Sequence, residues 1–409
     1  MGHPIGRRAR RALLALSALA ALMALALGSP RAEEQSPAAV KIGFLREGVK
    51  REAPQPYLDP PPADEGVAGA RLGIADDNTT GRFTGQHFVL AEAIAPAGGD
   101  VAAAFRKLVG EGVRLVVTDL PEAPLLAVAA LPEARAVTLF NAAAPDDDLR
   151  AEKCRANLLH TVPSRAMLAD ALLEYLLAKQ WPKVFLVVGP TEGDRAYAAA
   201  VKRAVAKFGA KLVAEKPWTF QPGAKRSDSG HYSIAAEVAN FTQGVSYDVL
   251  VVADEDDQFG DYMSYATYAP RPVAGTAGLI PTAWARPHEE WGATQLQDRF
   301  RQAAKRWMTA RDYAAWLAVR AVGEAAARAQ SVEPEKLIAF MRGEQFQLGG
   351  YKGTPLSFRP WDGQMRQAIL LADTRALVSV SPPPGRFLHQ FSELDTLGMD
   401  RPESKCRLQ

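Results

Sequence analysis

The chain has 409 residues, 48% hydrophobic and 23% charged, with 48 lysines and arginines against 46 acids and a formal charge of +2. That balance excludes a polybasic partner for nucleic acid or an anionic membrane surface. The length exceeds what one core usually supports, so two domains are expected.

The first residues read as an export signal. Arg7, Arg8, Arg10 and Arg11 form a basic region and residues 13–27 an apolar one, followed by cleavage-site residues at Ala24-Leu25-Ala26 or Pro30-Arg31-Ala32. The apolar run is too short for a spanning helix, so a cleaved signal at 1–32 and a periplasmic mature protein are expected. Its loss removes five arginines and no acid, which takes the formal charge from +2 to −3. Cys154 and Cys406 are the two cysteines. In an oxidising compartment a sole pair is expected to bridge.

The mature chain opens on Val40-Lys41-Ile42-Gly43-Phe44-Leu45, a strand, followed by a proline-rich loop over 54–62 that holds Tyr57. A helix is expected from Asp64 to Asp77-Asn78, with a turn-rich connection over 79–85 leading to a strand near Phe88-Val89-Leu90. Helix 101–109, strand 115–118, a short helix over 125–130 and strand 136–140 continue the alternation. The unit at 183–215 is the clearest in the chain. Its β-branched run at 183–189 suits a strand buried on both faces. Apolar residues at three- and four-residue steps from Ala196 to Phe208 mark a helix that Gly209 ends. Lys211-Leu212-Val213-Ala214-Glu215 then returns as a parallel strand. Further strands are expected at 248–253 and 272–275, and an extended link at 279–284. Helices follow at 293–308, 312–328 and 335–341, then short strand pairs beyond Gly349.

Alternating strands and helices specify an α/β fold of open parallel sheets, in which ligands sit beyond the carboxyl ends of the strands. That rule nominates Arg46, Asp119, Leu120, Asn141 and Ala142 on one rim. Thr191, Asp254 and Glu255 fall on another, and Trp284 in the link can stack a planar group. The run Asp254-Glu255-Asp256-Asp257 lacks the spacing of a calcium loop, so no metal is expected. No nucleophile elbow, paired zinc histidines, phosphate loop or dinucleotide fingerprint occurs. A binding protein without a cofactor, not an enzyme, is the resulting expectation.

The opening strand, Asn157-Leu158-Leu159-His160-Thr161-Val162-Pro163-Ser164 and the 183–215 unit resemble the type 1 periplasmic substrate-binding proteins of ABC transporters, in the Leu/Ile/Val-binding group. Asp77-Asn78-Thr79-Thr80-Gly81-Arg82, Val252-Ala253-Asp254-Glu255, Trp291-Gly292-Ala293-Thr294 and the ending from Leu394 to Cys406 are similar to the subset found with pyrroloquinoline quinone-dependent alcohol dehydrogenase systems. The resemblance implies the type 1 periplasmic binding protein fold, with two lobes joined by three crossovers and closing over a small molecule. Lobe I would comprise 38–157 and 281–348, lobe II 158–280 and 349–390, with a tail at 391–409. It also implies a membrane permease as partner, no nucleic acid, and a monomer. The alternative is a periplasmic sensor or partner module of the dehydrogenase system. Amino acid-binding relatives use hydroxyls after the third and fourth strands, where this chain has Asp119-Leu120-Pro121 and Asn141-Ala142-Ala143-Ala144. The expected ligand is therefore small and partly apolar or aromatic rather than an amino acid.

Overall fold

The computed structural model describes residues 38–48, 61–218 and 230–408. The expected signal, Tyr57 and most of its loop lie outside the described residues. In the first lobe, β1 (Ala38–Glu47), β2 (Gln86–Ala95), β3 (Leu115–Asp119), β4 (Thr138–Asn141) and β5 (Leu158–His160) form one sheet in the order β2-β1-β3-β4-β5. The β1–β3, β3–β4 and β4–β5 pairs are parallel. All five residues of β3 are buried, as a strand covered on both faces requires. Between the strands run α1 (Val67–Thr84), α2 (Val101–Gly110) and α3 (Glu122–Ala129).

The second lobe repeats the scheme. α4 (Arg165–Ala178), β6 (Lys183–Val188), α5 (Glu192–Phe208), β7 (Lys211–Pro217), α6 (Gly230–Thr242), β8 (Val249–Ala253), α7 (Gly260–Ala266) and β9 (Val273–Gly275) build a sheet of order β7-β6-β8-β9, parallel throughout. A capping box between Thr191 and Asp194 opens α5, and Gly209, at φ 75°, closes it. The chain then returns through β10 (Ile280–Thr282) to α8 (Ala293–Ala304), α9 (Ala310–Ala329) and α10 (Pro334–Met341), which pack on the first lobe. The hairpin of β11 (Ser357–Phe358) and β12 (Met365–Arg366) follows. β13 (Ile369–Ala372) and β14 (Leu377–Ser381) close an antiparallel sheet with β10.

Three expectations are corrected. α1 does not stop at Asp77-Asn78 but runs to Thr84, through the expected turn. Asp77 is buried and ion-paired to Arg320 of α9, and Gly323 of α9 lies against the Asp77 carboxylate. That pairing secures a polar residue that local preference would use to end a helix. β5, assigned by sequence to the second lobe, pairs with β4 and belongs to the first sheet. The segment 349–390 also divides, because Leu356, Phe358 and Met365 join the first-lobe core while Leu371 joins the second.

Cys154 and Cys406 are bridged across 252 residues of sequence. The tail does not depend on that bond alone. Arg359, fully buried, donates to Asp395 Oδ1 at 2.8 Å and to the carbonyls of Leu394 and Leu397. Lys207 of α5 donates to the carbonyls of Thr396 and Gly398.

Candidate functional site

The carboxyl ends of β1 and β3 carry Arg46 and Asp119, and the structure joins them. Arg46 Nε lies 3.2 Å from Asp119 Oδ2, while its Nη1 donates to the carbonyls of Ala63 and Glu65. Arg311, near the start of α9, approaches the other Asp119 oxygen at 3.3 Å. Burial pushes the Asp119 carboxyl up, and the two guanidinium groups oppose that shift. Of the pair of arginines, Arg311 is the exposed one.

Four neighbours nominated by sequence serve the framework instead. Leu120 and Ala142 are 1% exposed and pack into the cores on either side of the sheet. Asn141 is fully buried. Its Oδ1 accepts from the backbone of Ala143 and Ala144, and its Nδ2 donates to the Ala144 carbonyl and to His160 Nδ1. These bonds shape the loop after β4. Trp284 is 3% exposed, stacked on Tyr313 at 4.6 Å with its edge against His288. It is a core residue rather than a stacking platform in a wet cleft.

On the second-lobe rim Asp254 is likewise committed, since its carboxylate accepts from the backbone N–H groups of Gln258, Phe259 and Gly260 at the start of α7. Thr191 caps α5. Glu255 is different. It is exposed beside Gly193 at the head of α5, and both its oxygens accept from Arg165 at 2.7 Å.

Arg165 is the residue that sequence reading missed. It opens α4 of the second lobe, yet its Nη1 donates at 2.6 Å to Asp146, in the loop after β4 of the first. A guanidinium at a helix N-terminus opposes the helix dipole, and that misplaced charge right after the capping Ser164 is the signal that could have flagged it. Burial works to lower the Arg165 pKa, but the bonds to Glu255 and Asp146 outweigh it and hold the group charged. Asp147 adds a second tie by accepting from the Ala166 N–H.

The first-lobe rim extends from Arg311 through Asp312 to Arg306, which bonds both Asp312 and Asp64. Trp307, next along, walls a cavity of 860 Å³ with Arg286, His288, Gln297, Thr374 and Arg375. The Arg286 and Arg301 guanidinium groups lie 4.3 and 5.0 Å from the Trp307 ring centroid.

A family model described as periplasmic binding protein matches residues 61–228. No curated protein matches the chain. Among solved structures, a branched-chain amino acid ABC transporter periplasmic ligand-binding protein from Burkholderia xenovorans LB400 is similar at TM-score 0.69 and 16% identity, covering 90% of this chain and 99% of that one. The leucine-, isoleucine-, valine-, threonine- and alanine-binding protein from Brucella ovis, in a closed conformation, gives 0.66 and 14%, with 91% and 99% covered. An ABC transporter solute-binding protein from R. palustris in complex with benzoate gives 0.62 and 13%, with 91% and 100% covered. At such identity the likeness is one of fold, and together with the paired parallel sheets it gives this chain the type 1 periplasmic binding protein fold.

Proposed function

We propose that the chain is the periplasmic solute-binding component of an ABC transporter, capturing a small organic acid between the two rims and delivering it to a membrane permease. One observation carries the reading: Arg165 of the second lobe bonds Asp146 of the first and Glu255 of its own rim, so both rims converge on one guanidinium. Glu255 spends both oxygens on that guanidinium and has little left for a ligand ammonium. Arg311, exposed and only loosely tied to Asp119, is free to meet a carboxylate. The similar protein described with benzoate agrees with such a ligand. The resemblance to the alcohol dehydrogenase-associated subset adds a source, because oxidation of alcohols ends in carboxylic acids.

Thermal unfolding and calorimetry against benzoate, short-chain carboxylates, the parent alcohols, pyrroloquinoline quinone and leucine test the reading. A carboxylate at a hundred times its Kd should stabilise the protein by about 2.7 kcal/mol, and Arg311→Ala should abolish that shift. Binding of leucine-like amino acids alone would refute the ligand class.

A further inference from the structure

Away from the rims, a lysine sits where the chain passes between lobes. Lys352 is 1% exposed, and its Nζ donates to Gln367 Oε1 at 2.8 Å and to the Ala368 carbonyl at 2.9 Å. The Gln367 amide donates in turn to the Thr161 carbonyl, which fixes its oxygen toward the lysine. Gln367 precedes β13 and Thr161 follows β5, so the amine is tied to two of the passages between lobes. Among the described residues no carboxylate pairs with it; its titratable neighbours are Tyr313, whose ring centroid lies 4.7 Å beneath the amine, Tyr351, His288, and Glu290 and Glu393, which line the same cavity.

The same lysine lines a cavity of 710 Å³ with Ala368, Trp291, Leu377, Val380 and Leu394. Strained backbone gathers there. Trp291 and Tyr351, neither of them glycine, have φ 51° and 56°, and Gly353 has φ 79°. A side chain at 353 would strike the Trp291 ring at 2.7 Å. Left-handed residues on both sides of Lys352 turn it inward, and such strain collects where a site needs it.

We propose that Lys352 is the amine of a covalent carbonyl-binding site, and that the 710 Å³ cavity admits a small aldehyde with an apolar tail. Its two oxygen acceptors can take both N–H bonds of a neutral amine, which leaves the lone pair for the carbonyl. Burial holds its pKa well below 10.5, which favours that neutral form. The lone pair forms the C–N bond while the carbonyl π pair moves to oxygen, which takes one of the two nitrogen protons to give the neutral carbinolamine, the other proton leaving later with the hydroxyl. Loss of that hydroxyl with a proton, as water, leaves the imine; no electrons are exchanged with a third party. Thr354 and Ser379 line the cavity and offer hydroxyls to the carbinolamine, while Trp291, Leu377 and Val380 receive the tail. The site is independent of the rim ligand, so either assignment can fail alone.

The whole protein, treated with butanal and cyanoborohydride and mapped by peptide mass spectrometry, tests this. At pH 7 only about 1 in 2,500 solvated lysines is unprotonated. Lys352 should therefore be alkylated at least about tenfold faster than exposed Lys336 and Lys405. Its rate should rise less steeply with pH than theirs, which climb about tenfold per unit between about pH 7 and 9. Lys352→Met should lose that adduct alone, and if the variant does not fold, the rates in the unmodified sequence decide. Alkylation of Lys352 no faster than the exposed lysines, or rising with pH in parallel with them, overturns the proposal.

Discussion

Each lobe lays a helix pair over its parallel sheet, and the two pairs are joined by different means. In the first lobe α1 and α9 approach closely at glycines: Gly69 lies against the Asp312 backbone, Gly73 against the Val319 side chain, and Gly323 against the Asp77 carboxylate. In the second lobe α4 and α5 meet through side chains, Leu172, Leu173 and Leu176 facing Ala200, Val201 and Ala204. The buried Asp170 of α4 pairs there with Arg203 and Lys207 and accepts from the Gly398 N–H of the tail. The first pair is a closed joint between helices far apart in sequence. The second is completed by the last residues of the chain, so its stability depends on where the tail is held.

Replacing both cysteines by serine is the largest way to separate the two joints. Closing a loop of 252 residues is worth about 5 kcal/mol in the chain-entropy view, with strain lowering it. Urea unfolding of Cys154→Ser/Cys406→Ser should show that loss. Hydrogen exchange in the native state should rise first in α4 and α5 while α1 and α9 keep their protection. Equal loosening in both pairs would contradict the contrast.

Gly69→Ala attacks the other joint. The added methyl group collides with the Asp312 backbone, which cannot swing aside as a side chain can. Overpacking should outweigh the gain in helix preference and cost about 3 kcal/mol. An alanine at exposed helix-terminal Gly110, where a methyl group meets nothing, is the control.

Charge sharpens the comparison further. Glu174 of α4 is fully buried under Ser381, which donates to it at 2.6 Å, and burial pushes its carboxyl up to about 7. A carboxyl whose folded pKa exceeds its unfolded value contributes stability at low pH, and that contribution is lost as pH rises through about 7. The protein should therefore lose stability as pH rises from about 4.5 to about 7, a loss to which the buried Asp77 and Asp362 carboxyls also contribute, and Glu174→Gln should flatten part of that slope, gaining on the order of 1–3 kcal/mol at pH 8. A steeper slope in the variant would mean the glutamate is charged in the fold.

The smallest effect is expected at the rim. Arg165→Gln leaves Glu255 and Asp146 partly solvated and should cost about 1 kcal/mol. It should also expand the protein in solution scattering, because the side-chain tie from α4 to the first lobe is gone, leaving the backbone ties to Asp147 and Pro145. An unchanged radius of gyration would show that the lobes are held together by other contacts.

Much of this architecture was legible in the residue order. Strand and helix alternation, the 183–215 unit and the cysteine pairing all rest on local periodicity or on the count of one residue type, which neighbours in space cannot alter. The rim was legible only by position. Arg46 and Asp119 do meet, yet Asn141, Ala142, Leu120 and Trp284 turn inward, because whether a residue at a strand end faces ligand or core depends on which loop folds over it. Asp77 shows the same limit inside a helix. Local preference would end α1 there, and only the arrival of Arg320 and Gly323 from more than 240 residues away lets it continue. Sequence alone determined the fold class, the order of elements and the bridge, since these follow from short-range pattern and chain chemistry. Tertiary structure alone decided which charges meet, as at Arg165 and Lys352, because the worth of a buried charge is set by the groups that long-range packing brings around it.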